Sequence, residues 1–135
     1  MDALGALVVV VLSPLPQLRR KVMRCIAPQG HVVVAAATLE EARTRTEALD
    51  HGDDLDVLAI DGQLLARIGW RGREIAETLA PDRRLPVVGL VRRDAHRPPP
   101  DYDLTRAGIV ALYEPFQAAE LSLVVNWLGR HRRAA

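Results

Sequence analysis

Asp61 is the residue whose setting in the sequence could support chemistry. It ends the apolar run LDVLAID, in which residues 57–60 are typical of a strand that is buried on both faces. A carboxylate at the point where such a strand leaves a sheet can attack an electrophile or bind a hard cation. What Asp61 can do depends on which side chains the fold brings beside it.

Four other apolar runs of similar length share this character. Their Val and Ile content and their continuous apolarity predict strands of a sheet that is covered on both faces. The five predicted strands are 6–12, 31–37, 55–60, 85–91 and 108–113.

Helical patterns lie between these runs. Thr38 with Glu41 three residues later has the spacing of a capping box, and Gly30 stands where a first helix should end. The apolar positions that predict helix faces are Leu18, Val22, Cys25 and Ile26 in the first helix, Ile75 and Leu79 in a short third, and Leu121, Val124, Val125 and Leu128 in a last helix over 117–131.

The segment before the fifth predicted strand differs from the others. Pro98, Pro99 and Pro100 cannot lie inside a helix, so only 101–107 can be helical and the fourth helix should be short or displaced. Alternating strands and helices predict one α/β domain, 1–135, with a doubly wound parallel sheet. In such folds functional groups gather at the carboxyl ends of the strands.

The bulk composition narrows the function classes. Apolar residues make up 49% of the 135 residues, which suits a packed core, and the net charge of +1 argues against nucleic-acid binding. One cysteine excludes an intrachain disulfide and favours a cytoplasmic location, and the apolar start is too short to span a membrane. We expect the basic tail GRHRRAA to be a solvated helix end.

The chain resembles the response-regulator receiver domains of two-component signalling. The resemblance covers nearly the whole chain, and the segments that carry it are DVLAID, GREIAETL, RLPVVGLV and AGIVALYEPF. It implies a flavodoxin-like fold with strand order 2-1-3-4-5. It also implies that Asp61 occupies the position that accepts a phosphoryl group from a histidine kinase.

The residues that support this chemistry in the family are replaced. The acidic pair that holds a divalent cation falls on Leu12 and Ser13, and the lysine that pairs with the phosphoryl group falls on Glu114. At an effective dielectric of about 20, one unit charge pair at about 4 Å is worth about 4 kcal/mol, so this reversal of charge should be severe. We therefore expect no metal and no cofactor.

The residues that transmit phosphorylation in the family also differ. The hydroxyl residue of the fourth strand falls on Val91 and the aromatic residue of the fifth strand on Ala111, while Tyr113 is expected to face the other way. The resemblance also predicts a cis peptide bond between Glu114 and Pro115.

Two arginines follow the fourth predicted strand. We expect Arg92 or Arg93 to pair with Asp61 or Glu114 in place of the missing metal and lysine.

The histidines at 31, 51, 96 and 131 show no ligand spacing and are expected at the surface. The segment DHGDDLD is expected to be a turn. No Gly-rich phosphate loop follows the first strand, so we do not expect an enzyme.

The tryptophans are candidate contact residues. Trp70 lies in a predicted loop, and Trp127 has apolar neighbours that favour burial in the core. If Trp127 is exposed, it becomes an anchor for a partner. In the family, the face made by the helix between the last two strands, the fifth strand and the last helix mediates dimerisation or partner docking, with Tyr113 close by.

The sequence is best interpreted as a pseudo-receiver that acts through a protein partner or a homodimer, with a histidine kinase or an output domain as candidate partners. One alternative is a genuine phosphoacceptor that uses Asp61. A second is a binder of small ligands, or an enzyme, that uses the crevice at the strand ends.

Overall fold

The computed structural model describes residues 5–49, 55–82, 84–92 and 106–134. These ranges contain five strands and five α-helices, with a one-turn 3₁₀ helix, Ala27–Gln29, after the first helix. The elements are β1 (Val8–Leu12), α1 (Pro16–Ile26), β2 (Val32–Ala36), α2 (Leu39–Glu47), β3 (Val57–Asp61), α3 (Gly62–Arg67), α4 (Gly72–Leu79), β4 (Val87–Arg92), β5 (Ile109–Glu114) and α5 (Ala118–Ala134).

The sheet confirms the predicted topology. All neighbouring strands are parallel, and their order is β2-β1-β3-β4-β5. The register places Asp61 opposite Leu90 and Arg92 opposite Glu114. The polar residues at the carboxyl ends of β3, β4 and β5 therefore lie at the same end of the sheet. The predicted short fourth helix falls mostly outside the described residues, and the described residues 106–108 form a turn.

The two faces of the sheet bury separate apolar clusters because the strands are apolar at successive positions. One cluster joins alternate strand residues to α2, α3 and α4, and the other joins the remaining strand residues to α1 and α5. The first includes Leu12, Ile60 and Val91, and the second includes Val11 and Leu90. This two-sided burial fixes the positions of the strand ends.

The ends of α1 and α2 follow their sequence signals. Gly30 has a φ of +89° after the 3₁₀ turn, a conformation that favours glycine. Thr38 Oγ1 accepts a hydrogen bond from the Glu41 N–H at 3.1 Å, and the Glu41 carboxylate accepts one from the Ala37 N–H at 2.9 Å. Both bonds satisfy donors at the entry to α2.

The third helix predicted from Ile75 and Leu79 is α4, and an additional helix, α3, which was not predicted, precedes it. α3 and α4 meet at Gly69 and Trp70, both with positive φ, and the Trp70 N–H donates to the Leu65 carbonyl at 2.7 Å. A tryptophan at φ +63° is strained, but its side chain is only 4% exposed and belongs to the first core cluster. Burial of the indole therefore offsets the strain of the bend.

The basic tail is not a solvated helix end, so that expectation is wrong. Asp56, whose side chain is fully buried, accepts hydrogen bonds at 2.8 Å from Arg132, from Arg133 and from the Val8 N–H. Arg133 also donates to the Ala6 carbonyl at 2.8 Å. We call Asp56, Arg132, Arg133 and Val8 the Asp56 clasp. It joins the end of α5 to the starts of β1 and β3.

His31 is buried rather than at the surface. Its Nδ1 accepts the Leu7 N–H at 3.0 Å, and its Nε2 lies 3.2 Å from Asn126 Oδ1. Since Nδ1 is an acceptor, Nε2 must carry the proton and donate to Asn126. The hydrogen bonds explain why a polar ring is tolerated there. His51 and His96 lie outside the described residues, whereas His131 is exposed as expected.

The Asp56 clasp predicts a large stability loss in Asp56→Asn. Burial acts to raise the pKa of Asp56, but the hydrogen bonds from Arg133, Val8 and Arg132 outweigh it and hold the pKa below 3.8. Removing the charge should cost about 3 kcal/mol at neutral pH, since two arginines lose their counter-charge. Urea denaturation measures this difference, with the exposed Asp82→Asn as control.

The same measurement has a pH signature. A carboxyl whose pKa is lowered on folding contributes stability above its unfolded pKa, and this contribution is lost as the pH falls through the folded pKa. The gap between wild type and Asp56→Asn should therefore close below pH 3.8. A gap that is small at neutral pH, or that persists in acid, would contradict the role given to the clasp.

Candidate functional site

Asp61 is a hydrogen-bonded helix cap at the carboxyl end of β3. Its Oδ2 accepts the Ser13 hydroxyl at 2.6 Å, and its Oδ1 accepts the Gln63 N–H at 2.8 Å as the N-cap of α3. The side chain is buried, and α3 begins at the next residue. Each carboxylate oxygen of Asp61 thus already accepts a hydrogen bond from another residue of the fold.

The junction between β3 and α3 is tight. A Cβ on Gly62 would lie 2.8 Å from the Leu90 carbonyl oxygen, which belongs to the backbone of the adjacent strand. Glycine is therefore required at this position if β3 and β4 keep their spacing. This close approach holds Asp61 at the helix start.

Ser13, which follows β1, is held in place by several hydrogen bonds. Its Oγ accepts the Leu15 N–H at 3.0 Å while donating to Asp61, and its carbonyl accepts Arg19 Nη1 at 2.7 Å. These bonds hold the turn between β1 and α1. At the position where the family has an acid that binds the cation, the Ser13 hydroxyl thus donates a hydrogen bond to Asp61.

The other family positions on the strands carry no polar group. Leu12 and Val91 are fully buried in the first core cluster, and Ala111 packs against it. The expectation that Tyr113 faces away from Ala111 is wrong, because residues two apart in a strand lie on the same face. Tyr113 is exposed near the end of β5.

Glu114 ends β5 and faces the crevice. The Glu114–Pro115 bond is cis, as predicted. Burial and the nearby Asp61 raise the pKa of Glu114, while Lys21 and Arg92 act to lower it. Glu114 and Asp61 thus repel each other electrostatically where the family has a lysine and an acid.

Lys21 is the functional residue that the sequence reasoning missed. It lines a cavity of about 480 Å³ beside Glu114 and Arg92, and its Nζ lies 4.0 Å from the centre of the Phe116 ring. Lys21 lowers the pKa of Glu114 more than Arg92 does. Arg93 lies outside the described residues, so its predicted pairing stays a prediction.

The side chains do not fit the cation that the family binds. Mg²⁺ prefers an octahedral set of hard oxygen ligands. Here Leu12, at the end of β1, is apolar, and the next residue, Ser13, donates its hydroxyl to Asp61. Both Asp61 oxygens accept hydrogen bonds from the fold. In the described ranges, no group of three His, Cys, Asp or Glu side chains could hold a metal ion.

A patch of exposed apolar side chains lies on β5 and α5. Trp127 is 57% exposed and Leu123 71%, so the expectation that Trp127 is core is wrong. The buried face of α5 runs through Leu121, Val125 and Gly129, and Trp127 lies midway between the last two on the opposite side. Val110 is exposed as well. None of the described helices is long and apolar enough to cross a membrane.

Comparisons with known proteins give a likeness of fold. No protein-family model matches the chain, and no curated protein matches it by sequence. A response regulator receiver domain protein from Clostridium thermocellum superposes with a TM-score of 0.65 at 18% identity, covering 95% of this chain and 98% of that one. A receiver protein from Sinorhizobium medicae gives 0.61 at 20% identity, with 96% and 98% covered.

The same fold also occurs within a larger protein. NtrX from Brucella abortus, solved in complex with ATP, gives a TM-score of 0.68 at 18% identity. The match covers 96% of this chain and 28% of NtrX. These likenesses confirm the predicted receiver fold.

The burial of Glu114, together with the charge of Asp61, predicts that Glu114→Gln stabilises the protein at neutral pH. A carboxyl whose pKa is raised on folding destabilises the native state when it is ionised, and this penalty disappears as the pH falls through the folded pKa to below the unfolded value. The gain, measured by thermal denaturation, should therefore shrink in acid. The exposed Glu47→Gln should change stability by less than about 0.5 kcal/mol. A destabilised Glu114→Gln would contradict the unfavourable setting assigned to this carboxylate.

Proposed function

We propose, on the premise that the chain has the receiver-domain fold, that it is a pseudo-receiver in two-component signalling. It works by contact with a protein partner, with little or no Mg²⁺-dependent phosphorylation, and it is not an enzyme. The candidate partners are a histidine kinase, an output domain or a second copy of the chain. The cytoplasm, where such partners act, is the proposed location.

The use of Asp61 as a helix cap is the observation that carries this proposal. A nucleophilic carboxylate must present a free oxygen to its electrophile. The two Asp61 oxygens accept hydrogen bonds from Ser13 and from the start of α3. Each oxygen keeps a second lone pair, but its hydrogen bond lowers its nucleophilicity and the residue is only 3% exposed, so attack by either oxygen is disfavoured.

The charge beside Asp61 supports the same conclusion. Phosphoryl transfer is accelerated mainly by positive charge placed around the transferred group. Glu114 stands at the family's lysine position, and its raised pKa reflects burial and the nearby Asp61. Lys21 and Arg92 oppose this effect without reversing it. An incoming phosphate dianion would therefore meet the carboxylate of Glu114 where the family offers a lysine.

The exposed patch on β5 and α5 supports a role in contact. Leu123 and Trp127 lie one turn apart on the same side of α5, and both are mostly exposed. Exposed tryptophan is a common anchor of protein interfaces. These residues lie on the face that mediates dimerisation or docking in receiver domains.

Intact mass spectrometry tests the chemistry directly. The protein is incubated with a small phosphodonor and Mg²⁺ beside a receiver domain that has the full acidic pair and lysine. We expect the control to gain one phosphoryl group and this chain to show none, because Asp61 lacks cation support. A phosphoryl adduct that disappears in Asp61→Asn would establish the phosphoacceptor alternative instead.

Light scattering over a range of concentrations tests the contact role. If the β5–α5 patch joins two copies, the mass should rise above that of one chain, and Leu123→Ser should abolish the rise without loss of stability, because this side chain is 71% exposed. The exposed Arg43→Ser on α2 serves as control. A single-chain mass at every concentration would exclude the homodimer and leave the separate partner.

A further inference from the structure

A second cavity lies at the opposite end of the sheet from Asp61. Its volume is about 560 Å³, and it is lined by Val87 and Ile109, the first residues of β4 and β5. Asp61 is the last residue of β3. Because all the strands are parallel, the cavity and Asp61 are separated by the length of a strand.

The ionisable residues that line this cavity are all basic. They are Arg73, Arg84, His131 and Arg132, and none of the described lining residues is acidic. Glu77 opposes the charge of Arg73, and Asp56 pairs with Arg132. Arginines outnumber these nearby acids, so the cavity favours an anion.

The arginines crowd one another in this corner. Burial and the neighbouring Arg84 lower the pKa of Arg73, which donates a hydrogen bond to the Leu85 carbonyl. A Cβ on Gly108 would lie 2.8 Å from Arg73 Cδ, so glycine makes room for this side chain. Arg132 Nε is buried and has no hydrogen-bond partner among the described residues. The corner thus holds a buried donor that has no acceptor among the described residues.

The rest of the wall is apolar and partly aromatic. Trp127 and His131 stack with ring centres 4.3 Å apart and an angle of 22° between their planes. Val87, Ile109 and Leu128 complete the apolar lining. A flat apolar group could lie along such a wall while an attached anion meets the arginines.

We propose that this cavity binds a small molecule that carries a carboxylate or phosphate on a flat apolar body. The volume falls within the range of small-molecule sites, and an apolar wall with a few convergent charged groups is typical of them. This site differs from the crevice at Asp61. It does not depend on whether Asp61 accepts a phosphoryl group.

Titration with naphthalene-2-carboxylate, followed by ¹⁵N NMR, tests the proposal. The chain has two indole N–H signals, Trp127 at the cavity and Trp70 in the core, and Trp127→Phe assigns them. We expect saturable movement of the Trp127 signal with little change at Trp70. The neutral naphthalene-2-carboxamide should bind about tenfold more weakly, because it lacks the charge.

Two variants separate the charge contribution from general effects. Arg84→Gln should weaken carboxylate binding about three- to tenfold, whereas Arg43→Gln, on the exposed side of α2, should not change it. Naphthyl phosphate in place of the carboxylate distinguishes the two anion types. A Trp127 signal that does not move, equal binding of acid and amide, or equal losses in both variants would overturn the proposal.

Discussion

The hydrogen-bonded ion pairs of Asp56 join the end of α5 to the starts of β1 and β3, and the rest of the structure depends on this junction. A buried carboxylate at the start of β3 accepts bonds from two arginines at the end of α5 and from the backbone of β1. Asp61 ends the same strand with bonds to Ser13 and α3. A fully buried strand is thus held at both ends by a carboxylate, and neither acid is left without a donor.

The two ends of the sheet differ in their balance of charge: two acids face Lys21 and Arg92 at the carboxyl ends, whereas arginines outnumber the nearby acids at the amino ends. Asp61 and Glu114 lie at the carboxyl ends, where doubly wound folds usually bind their ligands. Arg73, Arg84 and Arg132 lie around the cavity at the amino ends. The excess of arginine over acid is therefore found at the amino ends, away from the usual ligand-binding edge. The cavity proposed to bind an anion is thus separate from the edge where Asp61 lies.

Most of the fold could be predicted from local patterns, and most of the site could not. Continuous apolar runs identify strands because both faces of the sheet are covered. The bonds to Asp56 join residues 76 and 77 positions apart, so no local pattern reveals them. Lys21, on α1, lowers the pKa of Glu114, which ends β5. Trp127 has apolar neighbours, yet it lies two residues from both Val125 and Gly129, the buried positions of α5.

The tight turn from β3 into α3 constrains how this chain can diverge. Residue 62 has to be glycine, since any Cβ would meet the backbone of β4. Residue 61 has to supply an acceptor to the first turn of α3, a role that asparagine, serine or threonine also performs. Selection for the shape alone would therefore tolerate the loss of the acid at this position. Relatives that share the glycine could carry a neutral cap here and keep the same architecture.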